Sequence, residues 1–208
     1  MNQPQSSSLG IRISQELDSA KAMLAALPGP AVSIFGGARA KPDSAYFEDT
    51  VKLAQAIAQA GLPVFSGGGP GIMLAANIGA RNAGGLSVGL NIVLPHEQAA
   101  NEYQDIGVEF GTFAARKAVF AKYSAGFVAM AGGFGTLDEV FEIVTLIQTG
   151  KSPKVPVLLY GAEFWKGMME WVSTTLLPNG FVSQSDIDLL TIVDNIPEAL
   201  RALGLTKA

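Results

Sequence analysis

Short apolar runs alternate with amphipathic segments along nearly the whole chain, and this alternation constrains the fold more than any other feature. Strands that alternate with helices in this way form a parallel sheet with helices on both faces. The sequence therefore predicts an α/β fold with a doubly wound, mainly parallel sheet. The predicted strands are residues 31–37, 62–69, 86–94, 125–133, 154–161 and 190–194. The predicted helices are residues 13–27, 44–61, 71–85, 112–124, 136–150, 163–177 and 196–203.

The chain reads as a single domain spanning residues 1–208. No long linker, repeat or low-complexity block divides it, and its length suits one α/β domain with a sizeable core. The Ser-rich residues 1–10 are expected to form a mobile tail, and Ser14 is the expected N-cap of the first helix. Apolar residues make up 49% of the chain and charged residues only 15%. This balance predicts an additional surface buried between subunits.

The composition excludes several classes of function. A net charge of −4 argues against a nucleic-acid partner, which favours a strongly basic face. The chain has no cysteine and one histidine, His96, so thiolate chemistry and a multi-histidine metal site are excluded. Residues 53–80 carry no formal charge, but prolines and glycines interrupt them and no membrane span is predicted. No signal peptide is recognisable, so the cytoplasm is the expected location.

Three predicted strands end in glycine-rich loops, at residues 35–40, 66–72 and 131–137. The carboxyl ends of parallel strands meet at one edge of a sheet, where ligands bind. Backbone N–H groups at a helix start attract anions, and glycine lets an anion approach closely. The loops spell neither the G-x-G-x-x-G dinucleotide motif nor the Walker P-loop motif. They therefore predict a phosphate ligand that is held in another way.

Two side chains in the third loop region have two readings. Thr136 and Glu139 have the T-x-x-E spacing of a capping box, in which both side chains bond to backbone N–H groups. Alternatively, Glu139 faces the ligand pocket, and Asp138 is the carboxylate that favours the helix N-terminus. Arg116 and Lys117 raise a similar choice. They form either a solvated basic face or, since adjacent helical positions differ by about 100°, a pair with one member at the sheet edge.

The combination of these motifs resembles the LONELY GUY family. The resemblance rests on "GGFGTLDE" (132–139), "FAARK" (113–117), "SGGGPGIMLAAN" (66–77) and "GLNIVLPHEQ" (89–98), and it extends over residues 31–176. The family consists of nucleoside 5′-monophosphate phosphoribohydrolases, known for cytokinin activation and once labelled lysine decarboxylases. Its signature is written P-G-G-x-G-T-x-x-E with an upstream Arg-Lys pair.

Two residues depart from the family pattern. Ala131 stands where proline is usual, which affects the geometry of the loop more than its chemistry. Phe113 stands where many members have methionine. Together with "LPHEQ" (94–98), Phe113 is more similar to the longer bacterial subgroup than to the short plant-like one. The choice of base, and cytokinin as the substrate in particular, therefore stays open.

The resemblance implies a Rossmann-like fold and hydrolysis of a purine or cytokinin-type nucleoside 5′-monophosphate to free base and ribose 5-phosphate. Arg116 and Glu139 match the family's catalytic residues. The carboxylate would stabilise an oxocarbenium-like state and activate water. No cofactor and no metal are implied. The implied substrate-binding residues are Gly68, Gly69, Glu97, Lys117, Gly132, Gly133, Phe134, Gly135, Thr136 and Thr145.

Three alternatives are kept. One is a non-enzymatic carrier of a phosphorylated cofactor such as molybdopterin, which needs the glycine loops but neither Arg116 nor Glu139. Another is the lysine decarboxylase label, which requires a Schiff-base lysine, although Lys117 adjoins no histidine. The third is an interaction protein, since residues 163–172 carry Trp165 and Trp171 on a helix that either packs in the core or forms a subunit interface. The resemblance implies a homodimer at least.

Overall fold

The computed structural model describes residues 8–94 and 99–206. Seven strands form one sheet in the order β4-β3-β2-β1-β5-β6-β7, and every pair of neighbours is parallel. The predicted doubly wound α/β fold is confirmed. The strands are β1 (Ala31–Phe35), β2 (Val64–Ser66), β3 (Ser87–Ile92), β4 (Ile106–Phe110), β5 (Ser124–Ala129), β6 (Val157–Tyr160) and β7 (Leu190–Val193).

The helices cover the sheet in two layers, as alternating β and α elements require. One core cluster joins α1, α4 and α5 to one face of the sheet, and a second joins α2, α3 and α8 to the other face. The helices are α1 (Leu9–Met23), α2 (Ala45–Gln59), α3 (Ile72–Asn82), α4 (Phe113–Tyr123), α5 (Phe134–Gln148), α6 (Ala162–Trp171), α7 (Gln184–Ile187) and α8 (Ile196–Ala202).

Several predicted boundaries are wrong. Helix α1 begins at Leu9 and its N-cap is Ser8, whose Oγ accepts a hydrogen bond from the Ile11 N–H, so Ser14 lies inside the helix. Residues 8–10 of the predicted tail therefore form the cap and the start of α1, and residues 1–7 lie outside the described residues. Strand β4 and helix α7 are absent from the sequence-based prediction. Helix α6 ends at Trp171 and continues as a π-helical segment, Val172–Leu176.

The aromatic residues of α6 have different environments. Trp165 is buried and packs with Val140 of α5 in a small apolar cluster at the sheet. Trp171 is half exposed. Core packing is therefore the role of Trp165, whereas Trp171 presents a large ring to solvent. Within the described ranges 8–94 and 99–206, no helix is both long and apolar enough to cross a membrane.

Candidate active site

The connections of the sheet create a crevice above β1 and β5. From β1 the chain moves through β2 and β3 to the β4 edge, and it then returns to β5 on the other side of β1. The loops after β1 and β5 therefore leave in opposite directions, which is where open α/β sheets bind ligands. A cavity of about 720 Å³ lies here, within the range of small-molecule sites. Residues 36–40 and 131–136, Gly67, Arg116 and Glu139 all line it.

The N-terminus of α5 opens into this cavity. Its N-cap, Gly133, provides no side-chain hydrogen bond. Among the described residues, none accepts a hydrogen bond from the N–H groups of Phe134 or Gly135. Gly132 lies close to the helix, since a Cβ there would come within 2.7 Å of the Thr136 Cβ. Two unpaired amides at a helix start, approached by glycine backbone, are suited to an anion such as phosphate.

Glu139 does not cap α5. The helix begins two residues before Thr136, so Thr136 is the third helical residue and no capping box forms. Both side chains are buried, Glu139 with 7% exposure, and both line the cavity. Of the two alternatives for Glu139, the structure therefore shows the one in which its side chain faces the cavity.

Arg116 lies across the cavity on α4. The helix is capped by Thr112, whose Oγ1 accepts a hydrogen bond from the Ala115 N–H at 3.4 Å. The Arg116 guanidinium carbon lies 5.5 Å from the centre of the Phe120 ring. Arg116 is 9% exposed, and its Nε has no hydrogen-bond partner among the described residues. A buried guanidinium with an unused donor is prepared for a polar ligand.

The two buried groups change each other's ionisation. Burial raises the pKa of Glu139 to about 7, and the positive charges of Arg116 and Lys117 oppose this rise. Burial also lowers the pKa of Arg116, and the charge of Glu139 opposes that change. Glu139 can therefore gain and lose a proton near neutral pH, as a general acid or base requires.

Lys117 pairs with two carboxylates of α5 and does not itself line the cavity. Its Nζ lies 2.8 Å from Asp138 Oδ1 and also contacts Glu142, both on α5. Burial lowers the pKa of Lys117, but the hydrogen bonds to these two carboxylates outweigh burial and raise it. A lysine kept protonated is a poor nucleophile, so this geometry does not favour a Schiff base. Lys117 is not among the residues that line the cavity.

The second glycine loop contacts the cavity through Gly67 rather than through the predicted Gly68 and Gly69. A Cβ at Gly67 would collide with the guanidinium of Arg116 and come within 2.6 Å of the Met73 Sδ. The run "SGGG" indicates that a glycine is needed here because another residue lies close, but it does not show which of the three glycines has this contact.

A network of side-chain amides holds this loop in place. Asn101 Nδ2 donates to the carbonyl oxygens of Gly68 and Gly69 at 2.9 and 3.1 Å. Gln104 Nε2 donates to the Gly68 oxygen at 2.9 Å and to Asn91 Oδ1 at 3.2 Å. Gly68 and Gly69 are thus fixed by two side chains of the segment between β3 and β4, one of which, Gln104, is held in turn by Asn91 of β3.

Two further predicted residues lie elsewhere. Thr145 is exposed, six residues beyond Glu139 on α5, and its hydroxyl donates to the Phe141 carbonyl at 2.7 Å. It does not line the cavity. Glu97 and the neighbouring His96 lie outside the described residues.

The cavity also has lining residues that the sequence did not indicate as site residues. Arg39 follows the glycine pair after β1, Tyr46 lies in the first turn of α2, and Phe164 lies on α6. The centroids of the Tyr46 and Phe164 rings are 6.3 Å apart in an edge-to-face arrangement. Arg39 could have been suspected from its place in "FGGARA", but nothing in the spacing indicates the two rings. The described part of the chain has no cluster of three acidic or histidine side chains arranged to hold a metal ion.

Sequence comparisons relate this chain to a known family and to named enzymes. Residues 73–203 match the family described as "Possible lysine decarboxylase". A cytokinin riboside 5′-monophosphate phosphoribohydrolase from Mycobacterium marinum is 34% identical over 67% of this chain and 74% of its own length. One with the same enzyme name from Arabidopsis thaliana is 25% identical over 83% of this chain and 81% of its own. The higher identity to the bacterial relative agrees with the predicted closeness to bacterial members.

The fold has solved counterparts. The molybdenum cofactor carrier protein from Chlamydomonas reinhardtii aligns with a TM-score of 0.63 over 85% of this chain and 96% of that one. At 24% identity this likeness concerns the fold alone. The family match, by contrast, spans residues 73–203 and so includes Arg116, Glu139 and the third glycine loop. The chain therefore belongs to the LONELY GUY family, whose members the "Possible lysine decarboxylase" description covers.

Proposed function

We propose that this protein is a phosphoribohydrolase that uses water to cleave the N-glycosidic bond of a nucleoside 5′-monophosphate. Its products are the free base and ribose 5-phosphate. The observation that carries the proposal is the buried pair of Arg116 and Glu139 in one cavity with the uncapped N-terminus of α5. The names of the sequence relatives, which are cytokinin riboside 5′-monophosphate phosphoribohydrolases, support the same reaction.

Binding begins at the 5′-phosphate. The free N–H groups of Phe134 and Gly135 donate to its oxygens, and the positive end of the α5 dipole favours its charge. Glu139 lies five residues further along the helix than Phe134, or about 7.5 Å along the axis at 1.5 Å per residue. A phosphate at the helix end therefore brings the glycosidic end of the ribose to the carboxylate.

Cleavage breaks the bond between C1′ and the base nitrogen, and the bonding electrons leave with the base. Positive charge develops on the ribose ring, and the ionised Glu139 stabilises it. Glu139 takes a proton from the attacking water as the oxygen bonds to C1′, and that proton is then available to the departing base. A carboxylate whose pKa is about 7 is a stronger base than an ordinary one. Arg116, whose side chain lines the cavity, orients the ribose hydroxyls or the phosphate.

The carrier alternative accounts for fewer features. Holding a phosphorylated cofactor needs the glycine loops but no buried carboxylate, whose desolvation is unfavourable. The uses of Glu139 and Arg116 in hydrolysis explain why two charged groups are buried at the cavity. We therefore prefer the enzyme and keep the carrier as the outcome of a negative assay.

We also propose that the enzyme works in the cytoplasm as a homodimer or larger homo-oligomer, without a nucleic-acid partner. Exposed phenylalanines on α4 and α5 support self-association: Phe113 is 52% exposed, Phe134 90% and Phe141 40%. Phe113 and Phe134 also line the cavity, so an apolar surface begins at its rim. Sedimentation of the purified protein tests this, and a monomer at micromolar concentration would contradict it.

A product assay tests the proposed reaction. The purified protein is incubated with AMP, GMP, CMP and isopentenyl-AMP, and free base and ribose 5-phosphate are quantified by chromatography. We expect equimolar release from at least one monophosphate, and the relative rates then identify the preferred base. No release from any of them, together with a tightly retained cofactor after purification, would favour the carrier.

A further inference from the structure

Two basic side chains line the cavity among the described residues, Arg116 and Arg39. Arg116 is buried and shares the field of Glu139, whereas Arg39 is exposed. Arg39 forms no ion pair or side-chain hydrogen bond with any residue of the described ranges. The reaction proposed above gives Arg39 no role, although an arginine at a ligand cavity without a protein partner is available to bind an anion.

Backbone contacts fix the end of the cavity at which Arg39 lies. It is carried by a turn in which the Ala40 N–H donates to the Gly37 carbonyl at 3.3 Å. The Gly37 N–H donates to the Ala131 carbonyl at 3.0 Å, and a Cβ added at Gly132 would come within 2.9 Å of the Gly37 nitrogen. The turn is therefore attached to the residues directly before α5, next to its free amides.

The charges at this end of the cavity also favour an anion. Two acidic side chains of α5 line the cavity: Glu139, which lies in the field of Arg116 and Lys117, and Asp138, whose carboxylate is paired with Lys117 at 2.8 Å. The charge of Asp138 is therefore largely balanced. The α5 N-terminus contributes partial positive charge, equivalent to about half a unit, and cannot by itself neutralise a phosphate. A full positive charge beside it raises the total to about one and a half units, which balances most of the charge of about −1.5 to −2 on a phosphate monoester at pH 7.

We propose that Arg39 binds the 5′-phosphate from the side facing the α5 N-terminus, and that it is a specificity-determining residue for phosphorylated substrates. This inference rests on the proposed function, because that function identifies the anion as a 5′-phosphate. Arg39 acts on the phosphate alone, whereas Glu139 acts at the glycosidic bond and Arg116 orients the ribose hydroxyls or the phosphate. Arg39 thus selects nucleotides over nucleosides without taking part in bond cleavage.

A competing role for Arg39 is recognition of the base. Tyr46 and Phe164, each 41% exposed, present aromatic rings to the same cavity and could stack with a base beside Arg39. Ribose 5-phosphate separates the two roles because it keeps the phosphate and lacks the base.

The test measures the affinity of ribose 5-phosphate by titration calorimetry for the wild type, Arg39→Ala, Arg39→Lys and a control, Lys41→Ala. Lys41 is exposed, basic and two residues away, and it does not line the cavity. A lost charge-assisted phosphate contact predicts a Kd raised about 10- to 100-fold in Arg39→Ala, partly restored in Arg39→Lys and unchanged in Lys41→Ala. The KM for AMP should rise by a similar factor while kcat changes little.

Three results would overturn the proposal. They are an unchanged Kd for ribose 5-phosphate in Arg39→Ala, no binding of ribose 5-phosphate by the wild type, and a raised KM for AMP in Arg39→Ala while the Kd for ribose 5-phosphate stays unchanged. The last would assign Arg39 to the base. Failure of the proposed function gives a different result. A wild type that binds ribose 5-phosphate through Arg39 but cleaves no nucleotide would support the phosphate site and contradict the hydrolase.

Discussion

Replacing Glu139 by Gln should stabilise the protein at alkaline pH while removing its activity. The pKa of Glu139 is raised by burial from 4.5 to about 7 in the folded protein. Between these values the folded chain holds a proton that the unfolded chain has released, so the free energy of unfolding falls as the pH rises. At about 1.4 kcal/mol per pH unit, the loss between pH 5 and pH 8 is about 2 to 3 kcal/mol. The side-chain amide of the Glu139→Gln variant does not ionise and therefore avoids this loss.

The assay is urea unfolding of both proteins at pH 5 and pH 8, at one fixed protein concentration. From pH 5 to pH 8, the free energy of unfolding of the variant should rise by about 2 to 3 kcal/mol relative to that of the wild type. Comparing the two pH values removes constant effects of the substitution, such as the changed surroundings of Arg116. Glu163→Gln is the matched control, since Glu163 is exposed on α6 and should show no such gain. A stability difference that is the same at pH 5 and pH 8 would refute the reasoning.

Three further outcomes follow from the same site. Gly67→Ala should fold but lose at least about tenfold in kcat, because the new Cβ displaces the Arg116 guanidinium; near-normal turnover in steady-state assays would contradict this. Gln104→Leu should destabilise the fold by about 1–3 kcal/mol in urea unfolding, since the side-chain amide of Asn91 loses the hydrogen bonds at 2.9 and 3.2 Å that it forms with Gln104. The kcat/KM for the preferred monophosphate should rise with pH through about 7 as Glu139 ionises, and a pH-independent profile from pH 5 to pH 9 would exclude Glu139 as the base.

The fold can be predicted largely because six of the seven strands are clear apolar runs. Strand β4, Ile106–Phe110, escapes prediction because it is a short edge strand whose apolar residues alternate with Gly107 and Glu109 and do not form the continuous apolar run that marks the other strands. The start of α1 is misplaced because both Ser8 and Ser14 are good N-cap residues, and it is the Ser8 Oγ that accepts the capping hydrogen bond, from the Ile11 N–H. Propensity gives the type of an element more reliably than its boundary.

The site is predictable only in part. Residues 116 and 117 are adjacent on α4, and the sequence does not show that Arg116 faces the cavity while Lys117 pairs with α5. Likewise, the backbone path alone decides that Gly67, not Gly68, lies against the guanidinium. Arg39 depends on a turn whose position is set by the contact between two loops that are distant in sequence. Such long-range contacts leave no periodic signal along the chain.

We propose that Glu139 and Arg116 form the catalytic centre of a nucleotide hydrolase. The most direct measurement is the rate of ribose 5-phosphate release from the preferred monophosphate at pH 8, compared among the wild type, Glu139→Gln and Glu163→Gln. We expect turnover by the wild type and by Glu163→Gln, and a rate lower by about 10²- to 10⁴-fold in Glu139→Gln, the loss expected without the general base. A folded Glu139→Gln variant that turns over at the wild-type rate would contradict the account.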